Sequence, residues 1–467
     1  MWQALKKLKK IYFLFISFFL LHKKPCKVSK KRRNTRSLTY KVNDIVSFYG
    51  QKYCSMHISS HSFNFKRSIF NDLSYLCTNH HYRYMNMKLK LFIFVCFYGL
   101  LSEICSFAQS RLTKQEEASA RKEIINSWKA QLSTKLQATD KANCVTQGEL
   151  KMRYTIQVFG EKPADGRSMW ISMHGGGNAP TSLNDSQWEN QKLLYQPTEG
   201  IYVCPRAPWD DWDMWFKNPI DRMFEELIQT MMLFHDVNPN KVYILGYSAG
   251  GDGIWRIAPR MADHWAAASM MAGHPGDVSL LGVRNLPFML WCGGADAAYN
   301  RNTEVAKRGL ELDSLQQADP EGYIHETHIL VGKPHWMDLE DKAALPWMAK
   351  YTRNPYPSSV VWCQGDNGRT HFYWLGVPST ETKKGNVLRV QIKKNVVTIS
   401  QCDYSQITLY LNDQLVDLDK TITVVYGKKT LFKGKLFRTA ENLKQSLEER
   451  GDPAYCFPAI LKVKIPR

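Results

Sequence analysis

The sequence Gly246-Tyr247-Ser248-Ala249-Gly250-Gly251 is the most informative motif of this chain. It follows Lys241–Leu245, whose apolar run is typical of a buried strand, and it leads into the helical pattern Ala249–Met261. A G-x-S-x-G sequence between a strand and a helix holds its serine at a sharp, strained turn, with the hydroxyl above the edge of the sheet. The glycines two positions away leave room for this turn because they have no side chains. The stretch therefore predicts that Ser248 is an activated nucleophile.

Strand-like runs alternate with helical patterns on both sides of this stretch. The strand candidates are Tyr154–Phe159, Met169–Met173, Ile201–Cys204, Lys241–Leu245, Trp265–Met271, Pro287–Trp291 and Tyr323–Val331. The helical candidates are Ile220–His235, Ala249–Met261, Thr303–Leu315 and Leu339–Tyr351. Such alternation is typical of an α/β fold, in which helices cover both faces of a mostly parallel sheet. We therefore predict a doubly wound, mostly parallel sheet over residues 151–354.

The pattern changes after Asn354-Pro355-Tyr356-Pro357. Short strands with period-two alternation follow, at Val387–Ile392, Val396–Ser400, Ile407–Leu411, Thr421–Tyr426, Thr430–Lys435 and Ala459–Ile465. One amphipathic segment, Thr439–Arg450, ends at a glycine and a proline. These features predict a small β-sandwich-like accessory domain over residues 355–467. The polar, helix-prone residues 109–150 are predicted to form an exposed leading helix and a linker.

The first 108 residues have the features of a targeting segment. They hold 19 Lys and Arg against 3 Asp and Glu, whereas the whole chain has a net charge of +19. The run Leu91–Leu101, preceded by basic residues and followed by Ser106 and Ala108, predicts a signal peptide over residues 85–108, cleaved after Ala108. Residues 1–84 are predicted to be an over-extended reading frame, and the alternative is a membrane-tethered extension built on Ile11–Leu21. A cleaved signal peptide implies a periplasmic or secreted protein without a stable membrane anchor in its mature form.

Charge and cysteine content limit the partners of the exported part. Because most of the basic excess lies before residue 109, the remainder is nearly neutral and does not predict nucleic-acid binding. Six cysteines remain there, and an oxidising compartment would allow fifteen sets of disulfide pairings. Cys204 and Cys292 end apolar runs, which indicates buried thiols. No CxxC pair or His/Cys cluster suggests a metal site.

A second glycine-rich stretch follows an early strand. His174-Gly175-Gly176-Gly177 comes directly after Met169–Met173. Glycines allow backbone N–H groups to approach the oxyanion that forms during acyl transfer. The predicted donors are Ala249 and one of Gly175, Gly176 and Gly177, and His174 is expected to brace the loop.

A serine nucleophile needs a base, and the base needs a carboxylate that orients it. Asp296 follows a glycine pair after the strand candidate Pro287–Trp291. His335 follows the last strand candidate, so the chain order is serine, acid, histidine. His325 and His328, within that strand, are the alternative bases.

Three tryptophans lie close together in Trp209-Asp210-Asp211-Trp212-Asp213-Met214-Trp215. The run follows a strand end, so we expect it at the rim of the site. Aromatic planes with acidic groups suit sugar rings or aromatic acyl groups, and the alternative is a packed lid that excludes water. The predicted substrate contacts are Trp209, Asp210, Trp212, Trp215 and His274, which follows another strand end.

These motifs, over roughly residues 150–350, resemble the α/β-hydrolase superfamily, and they are most similar to secreted esterases related to polyhydroxybutyrate depolymerases and to feruloyl and acetylxylan esterases. The matching residues are His174–Gly177, Gly246–Gly251 with Asp252-Gly253, Met271–Pro275, Gly293–Asp296 and His335. The resemblance implies a serine hydrolase that needs no cofactor and acts on carboxylic esters. Acylated polysaccharides are the expected substrates. The alternatives are a serine peptidase of prolyl-oligopeptidase type and a non-catalytic carbohydrate-binding protein.

Overall fold

A computed structural model describes residues 111–466. The predictions for residues 1–84 and 85–108 lie outside the described residues. Within residues 111–466, every helix is too short or too polar to cross a membrane.

The centre of the fold is one eight-stranded sheet. Its strands are β1 Cys144–Gln147, β2 Leu150–Phe159, β3 Arg167–Met173, β4 Gly200–Pro205, β5 Val237–Tyr247, β6 Ala267–Met271, β7 Phe288–Gly293 and β8 His325–Leu330. Their spatial order is β1-β2-β4-β3-β5-β6-β7-β8. Strand β2 is antiparallel to both of its neighbours, and the other pairs are parallel. This is the topology of an α/β-hydrolase, so the predicted fold class is confirmed.

Both faces of the sheet are covered, which explains the continuous apolar runs in the sequence. The helices of this part are α1 Lys114–Ala142, α2 Thr181–Leu194, α3 Ile220–Phe234, α4 Ala249–Arg260, α5 Arg301–Ala318 and α6 Ala344–Met348. In β5, Val242 and Ile244 pack in the same core as α3 and α4, whereas Tyr243 and Leu245 pack with α2 and α6. Successive side chains point to opposite faces of a strand, so each face of β5 needs its own apolar partners.

The structure differs from the sequence predictions for this part at two helices, one predicted too long and one not predicted. Leu339–Tyr351 is not one helix, because Leu339 has a φ of 61° and a 3-10 turn precedes the short helix α6. Pro346, which has no N–H to donate, also disfavours a long helix there. Helix α2 was not predicted, since only Trp188 among its buried side chains is apolar.

The C-terminal region contains two further sheets and the helix α7 Ala440–Arg450. Its strands are β9 Ser359–Cys363, β10 His371–Phe372, β11 Leu375–Gly376, β12 Val387–Lys393, β13 Val396–Cys402, β14 Gln406–Leu411, β15 Ile422–Tyr426, β16 Lys429–Gly434 and β17 Ala459–Lys464. The sheet orders are β10-β11-β14-β17 and β16-β15-β13-β12-β9. The pairs are antiparallel except β13 with β15. Trp362 of one sheet stacks on Phe372 of the other, with ring centroids 5.6 Å apart.

Helix α1 packs against both parts of the fold and does not stand free. Thr113 and Glu116 form a capping box at its start. Near its N-terminal end, Arg121 donates a hydrogen bond to the Cys456 carbonyl oxygen of the C-terminal region. Near its C-terminal end, the hydroxyl of Thr139 donates to Glu226 Oε1 of α3 at 3.0 Å. The part of residues 109–150 that the structure describes also includes β1, which belongs to the main sheet. The domain boundaries themselves stay predictions.

Buried ion pairs attach the C-terminal region to the preceding α/β part of the fold. Arg450 Nη2 lies 2.5 Å from Asp263 Oδ2, and Arg353 Nη1 lies 2.7 Å from Asp452 Oδ2. Burial alone would raise the pKa of Asp263, but the charges of His264 and Arg450 hold it well below its usual range. Removing one partner of such a pair typically costs about 3–5 kcal/mol, because the other charge stays buried. The two parts of the fold therefore depend on each other for stability.

Candidate active site

The nucleophile turn joins β5 to α4. Ser248 has φ 57° and ψ −119°, a conformation that non-glycine residues rarely adopt and that is often found at functional sites. Its N–H donates to the Met271 carbonyl oxygen at 2.9 Å. A side chain on Gly246 would collide with Gly250, and one on Gly250 would collide with the Met173 carbonyl. The close backbone contacts thus explain why glycines flank the serine.

The structure brings the three predicted residues into one hydrogen-bonded line. His335 Nε2 is 2.9 Å from Ser248 Oγ, and His335 Nδ1 is 2.6 Å from Asp296 Oδ2. Asp296 follows β7 and is only 3% exposed. His335 follows β8 and keeps 41% of its side chain accessible. The imidazole can therefore take the serine proton while the carboxylate holds its other nitrogen.

Asp296 is held in place by the first turn of helix α5. Its backbone carbonyl accepts from the N–H of Asn302 at 3.1 Å. Its second carboxylate oxygen, Oδ1, lies 3.6 Å from Arg301 Nη1. One carboxylate oxygen therefore faces the imidazole and the other faces a guanidinium.

The alternative bases, both in β8, are not brought to the serine. His325 binds the Tyr323 carbonyl and Asp313, and His328 stacks on Trp291 with ring centroids 4.0 Å apart. These contacts are the ones expected of packing side chains.

The glycine loop after β3 runs beside the nucleophile. A Cβ built on Gly175 would lie 3.1 Å from Ser248 Cβ, and one on Gly177 would lie 3.4 Å from Ala249 Cβ. The N–H of Gly177 donates to Asn184 Oδ1 at 2.8 Å, so Gly177 is not available as an oxyanion donor. Ala249 is the first residue of α4, where a backbone N–H has no partner within its helix. Gly175, Gly176 and Ala249 are therefore the remaining candidates.

His174 braces the glycine loop from within the core. Its Nδ1 is 2.6 Å from the Gly175 carbonyl oxygen, and its Nε2 accepts from the N–H of Ala207 at 3.1 Å. Burial lowers the pKa of His174 to about 4, so the ring is neutral at pH 7. A neutral ring can donate from one nitrogen and accept at the other, and both contacts need this.

The tryptophan run divides into buried and exposed parts. Trp215 is fully buried and its indole N–H donates to the His174 carbonyl, so its prediction as a substrate contact is wrong. Trp209 is partly buried against the core, and Asp210 binds Arg206 Nη2 at 2.5 Å. Trp212 is 61% exposed, and its Cα would be 3.3 Å from a Cβ on Gly177. Within the run Trp209–Trp215, Trp212 is the one tryptophan that presents a largely open ring beside the glycine loop.

His274 is linked to the nucleophile helix by the carboxylate of Asp252, a residue that was not predicted as part of the site. Its backbone N–H donates to Asp252 Oδ1 at 2.6 Å, and its Nδ1 accepts from the N–H of Gly276 at 3.1 Å. Burial raises the pKa of Asp252, which lies in the first turn of α4. The sequence signal that could have indicated Asp252 is its position four residues after the serine, one helical turn away.

Two exposed aromatic side chains near the triad were also not predicted. Trp336, next to His335, is 43% exposed, and Tyr299, three residues after Asp296, is 76% exposed. Neither belongs to an apolar sequence pattern, so hydrophobic periodicity could not indicate them.

The buried histidines predict a loss of stability in mild acid. Burial lowers the pKa of His174 to about 4 and that of His371 to about 3, against an ordinary value of 6.5. Below pH 6.5, and down to the pKa of each buried histidine, the unfolded chain binds more protons than the folded one. The stability that the neutral histidines contribute is therefore complete above pH 6.5 and is lost as the pH falls. Urea unfolding from pH 7.5 to 4.5 should show a declining free energy of unfolding. His371→Gln should make the decline shallower, and an equally steep decline in this variant would contradict the assignment.

The described residues contain neither a disulfide nor a metal cluster. Cys144, Cys204, Cys292, Cys363, Cys402 and Cys456 are free thiols. Cys204 and Cys292 are buried, and burial raises the pKa of both thiols to about 12. Among residues 111–466, no three His, Cys, Asp or Glu side chains are grouped to hold a metal ion.

Comparison with known proteins finds similarity to solved structures. No family model and no curated protein sequence matches the chain. A thermostable esterase is 17% identical over 45% of this chain and 62% of its own, with a TM-score of 0.36. A ferulic acid esterase is 15% identical over 44% of this chain and 96% of its own, with a TM-score of 0.33. A mutant feruloyl esterase module from Clostridium thermocellum, complexed with sinapinate, is 13% identical over 44% of this chain and 86% of its own, with a TM-score of 0.34. Because these likenesses are distant, the activity of this chain is inferred from its own residues.

Proposed function

We propose that the protein is a serine esterase. The observation that carries the proposal is the line Ser248–His335–Asp296, with hydrogen-bond distances of 2.9 and 2.6 Å. A serine hydroxyl is a weak nucleophile, and a base within hydrogen-bond reach activates it. The strained turn at Ser248 and the glycine loop beside it support the same reaction.

In this reaction, Ser248 Oγ attacks the acyl carbon and His335 Nε2 accepts its proton. Asp296 holds the imidazole and stabilises its charged form. The N–H of Ala249 and one from Gly175 or Gly176 stabilise the oxyanion. His335 then gives its proton to the departing alcohol, which leaves an acyl group on Ser248. A water molecule, deprotonated by His335, releases the acid and restores the serine.

Esters carried by polysaccharides are the proposed substrates, and export is the proposed location. The exposed rings of Trp212, Trp336 and Tyr299 support this substrate class, because sugar rings stack on flat aromatic faces that keep contact with water. Export rests on the signal-like sequence at residues 85–108. A polymer outside the cell also needs an accessible site, and His335 keeps 41% of its side chain exposed.

The activity is tested by comparing p-nitrophenyl acetate with a proline anilide and with acetylated and feruloylated oligosaccharides. An esterase cleaves the acetate and the acylated oligosaccharides. Cleavage of the anilide alone would indicate a peptidase. Oligosaccharide binding without turnover would indicate a non-catalytic carbohydrate-binding protein.

Trp212→Ala is expected to lower kcat/KM on an acetylated oligosaccharide by roughly five- to tenfold, mainly through KM. An aromatic stacking contact contributes about 1 kcal/mol, and about 1.4 kcal/mol corresponds to a factor of ten. Phe437→Ala is the control, because Phe437 is also an exposed aromatic side chain but belongs to the C-terminal region. Equal kcat/KM values for Trp212→Ala and Phe437→Ala would exclude Trp212 from substrate binding.

A further inference from the structure

One buried hydroxyl group joins the nucleophile turn to the loop that carries His335. Tyr247 is the last residue of β5 and directly precedes Ser248. Its hydroxyl donates to the backbone carbonyl of His335 at 2.6 Å. The same hydroxyl accepts from the backbone N–H of Met337 at 3.1 Å. A single side chain therefore binds the backbone on both sides of Trp336.

The two hydrogen bonds of Tyr247 hold residues 335–337, which lie downstream of the loop's contact at Lys333. Upstream, the Lys333 carbonyl accepts from the N–H of Ala295 at 2.9 Å, which links the loop to the segment carrying Asp296. Downstream of Lys333, the His335 side chain forms its hydrogen bonds with Ser248 and Asp296. The backbone beside the imidazole is thus anchored through Tyr247.

The ring of Tyr247 also packs against the residues that it binds. It meets the His335 ring edge to face at 5.9 Å between centroids, and it lies 5.7 Å from the Trp336 ring. Tyr247 is 7% exposed, and burial raises its pKa well above the ordinary value. The phenol therefore stays protonated and keeps its donor throughout the neutral pH range.

We infer that Tyr247 is a positioning residue, whose hydroxyl sets the distance between the imidazole of His335 and the hydroxyl of Ser248. This inference rests on the proposed function, because it assigns Tyr247 a role in aligning the proposed triad. Tyr247 and Ser248 are adjacent at the end of β5, and Tyr247 binds the backbone of His335. A shift of the strand end therefore moves Ser248 and His335 together and keeps the distance between them. Nothing in the G-x-S-x-G pattern requires a tyrosine at this position, so the role is a property of this chain.

The test is Tyr247→Phe in the full chain, with Tyr243→Phe as the matched control. Tyr243 lies four residues earlier in β5, is 2% exposed, and donates to the Tyr351 carbonyl at 2.8 Å. Each variant removes one buried hydroxyl that donates to a loop carbonyl, so both should lower Tm. Tyr247→Phe is expected to lower kcat on p-nitrophenyl acetate by about ten- to a hundredfold with KM within about twofold, because small misplacements of reacting groups have large effects on rate. Tyr243→Phe should keep its kcat within about twofold.

A second readout does not need turnover. The proton between His335 Nδ1 and Asp296 should give a far-downfield NMR resonance, and this resonance should shift or broaden in Tyr247→Phe but not in Tyr243→Phe. If the wild type hydrolyses no ester, the proposed function fails, and the resonance still tests the role of Tyr247. An unchanged resonance together with a kcat equal to that of Tyr243→Phe would overturn the inference.

A pair of para-substituted phenylalanines covers the case in which Tyr247→Phe does not fold. At position 247, 4-aminophenylalanine keeps a donor, and 4-methylphenylalanine fills the same space without one. The inference predicts a higher kcat for the amino variant by about tenfold or more. Equal kcat values in the two variants would contradict it.

Discussion

Replacing Ser248 by alanine is expected to lower kcat on p-nitrophenyl acetate by about 10⁵–10⁶-fold, the typical loss when a serine hydrolase loses its nucleophile. Alanine removes the atom that attacks the ester, while the imidazole 2.9 Å away and the glycine loop remain. The residual rate should come from substrate binding and the oxyanion donors alone. KM should change little, because the hydroxyl contributes mainly to the chemical step. The rate is measured by release of p-nitrophenol under saturating substrate.

The control for this variant is Ser269→Ala. Ser269 lies in β6, is fully buried, and its hydroxyl has no hydrogen-bond partner among the described residues. The substitution therefore removes a hydroxyl from the same sheet without removing a hydrogen bond between the described residues, and kcat should stay within about twofold. A Ser248→Ala enzyme with more than a tenth of the wild-type kcat would show that hydrolysis uses another nucleophile.

Asp296→Asn is expected to lower kcat by about 10⁴-fold, the loss found when an amide replaces the carboxylate of such a triad. The carboxylate accepts from His335 Nδ1 at 2.6 Å, which directs the lone pair of Nε2 to Ser248. An amide can donate to Nδ1, and this favours the tautomer with its proton on Nε2. The ring then cannot accept the serine proton. Single-turnover kinetics should show that acylation and deacylation both become slower, because His335 acts as the base in each step.

A second Asp–His pair in the chain provides the control. Asp313 Oδ1 lies 3.1 Å from His325 Nε2, and this pair is remote in the sequence from the nucleophile turn. Asp313→Asn changes the same chemical groups, and kcat should stay within about twofold. If Asp313→Asn lowered kcat as much as Asp296→Asn, the loss would reflect a general effect of removing a carboxylate and not the orientation of His335.

The main sheet was predictable because its local signals agree with one another. β5 contains a continuous apolar run, and the run ends where glycines permit the sharp turn at Ser248. The carboxyl ends of parallel strands meet at one edge, so side chains after β7 and β8 come near the serine. Asp296 and His335 could therefore be assigned from their positions after strand ends, and the structure brings His335 to Ser248 and Asp296 to His335.

The remaining features depend on contacts between distant segments. Trp212 and Trp215 look alike in the sequence, but the Trp215 indole meets the His174 carbonyl inside the core while Trp212 faces solvent. Gly177 looks like a free donor until Asn184, on a helix that was not predicted, accepts its N–H. The double contact of Tyr247 likewise requires two loops to meet. Periodicity and motif spacing carry no information on such pairings.

Covalent labelling with a fluorophosphonate measures whether Ser248 is an activated nucleophile, because the reagent reacts with an activated serine whatever the natural substrate is. If Ser248 is the nucleophile, one adduct forms per chain, it lies on the tryptic peptide that contains Ser248, and Ser248→Ala forms none. An unlabelled wild-type protein that is folded by its near-UV circular dichroism, or an adduct on another residue, would contradict this role of Ser248.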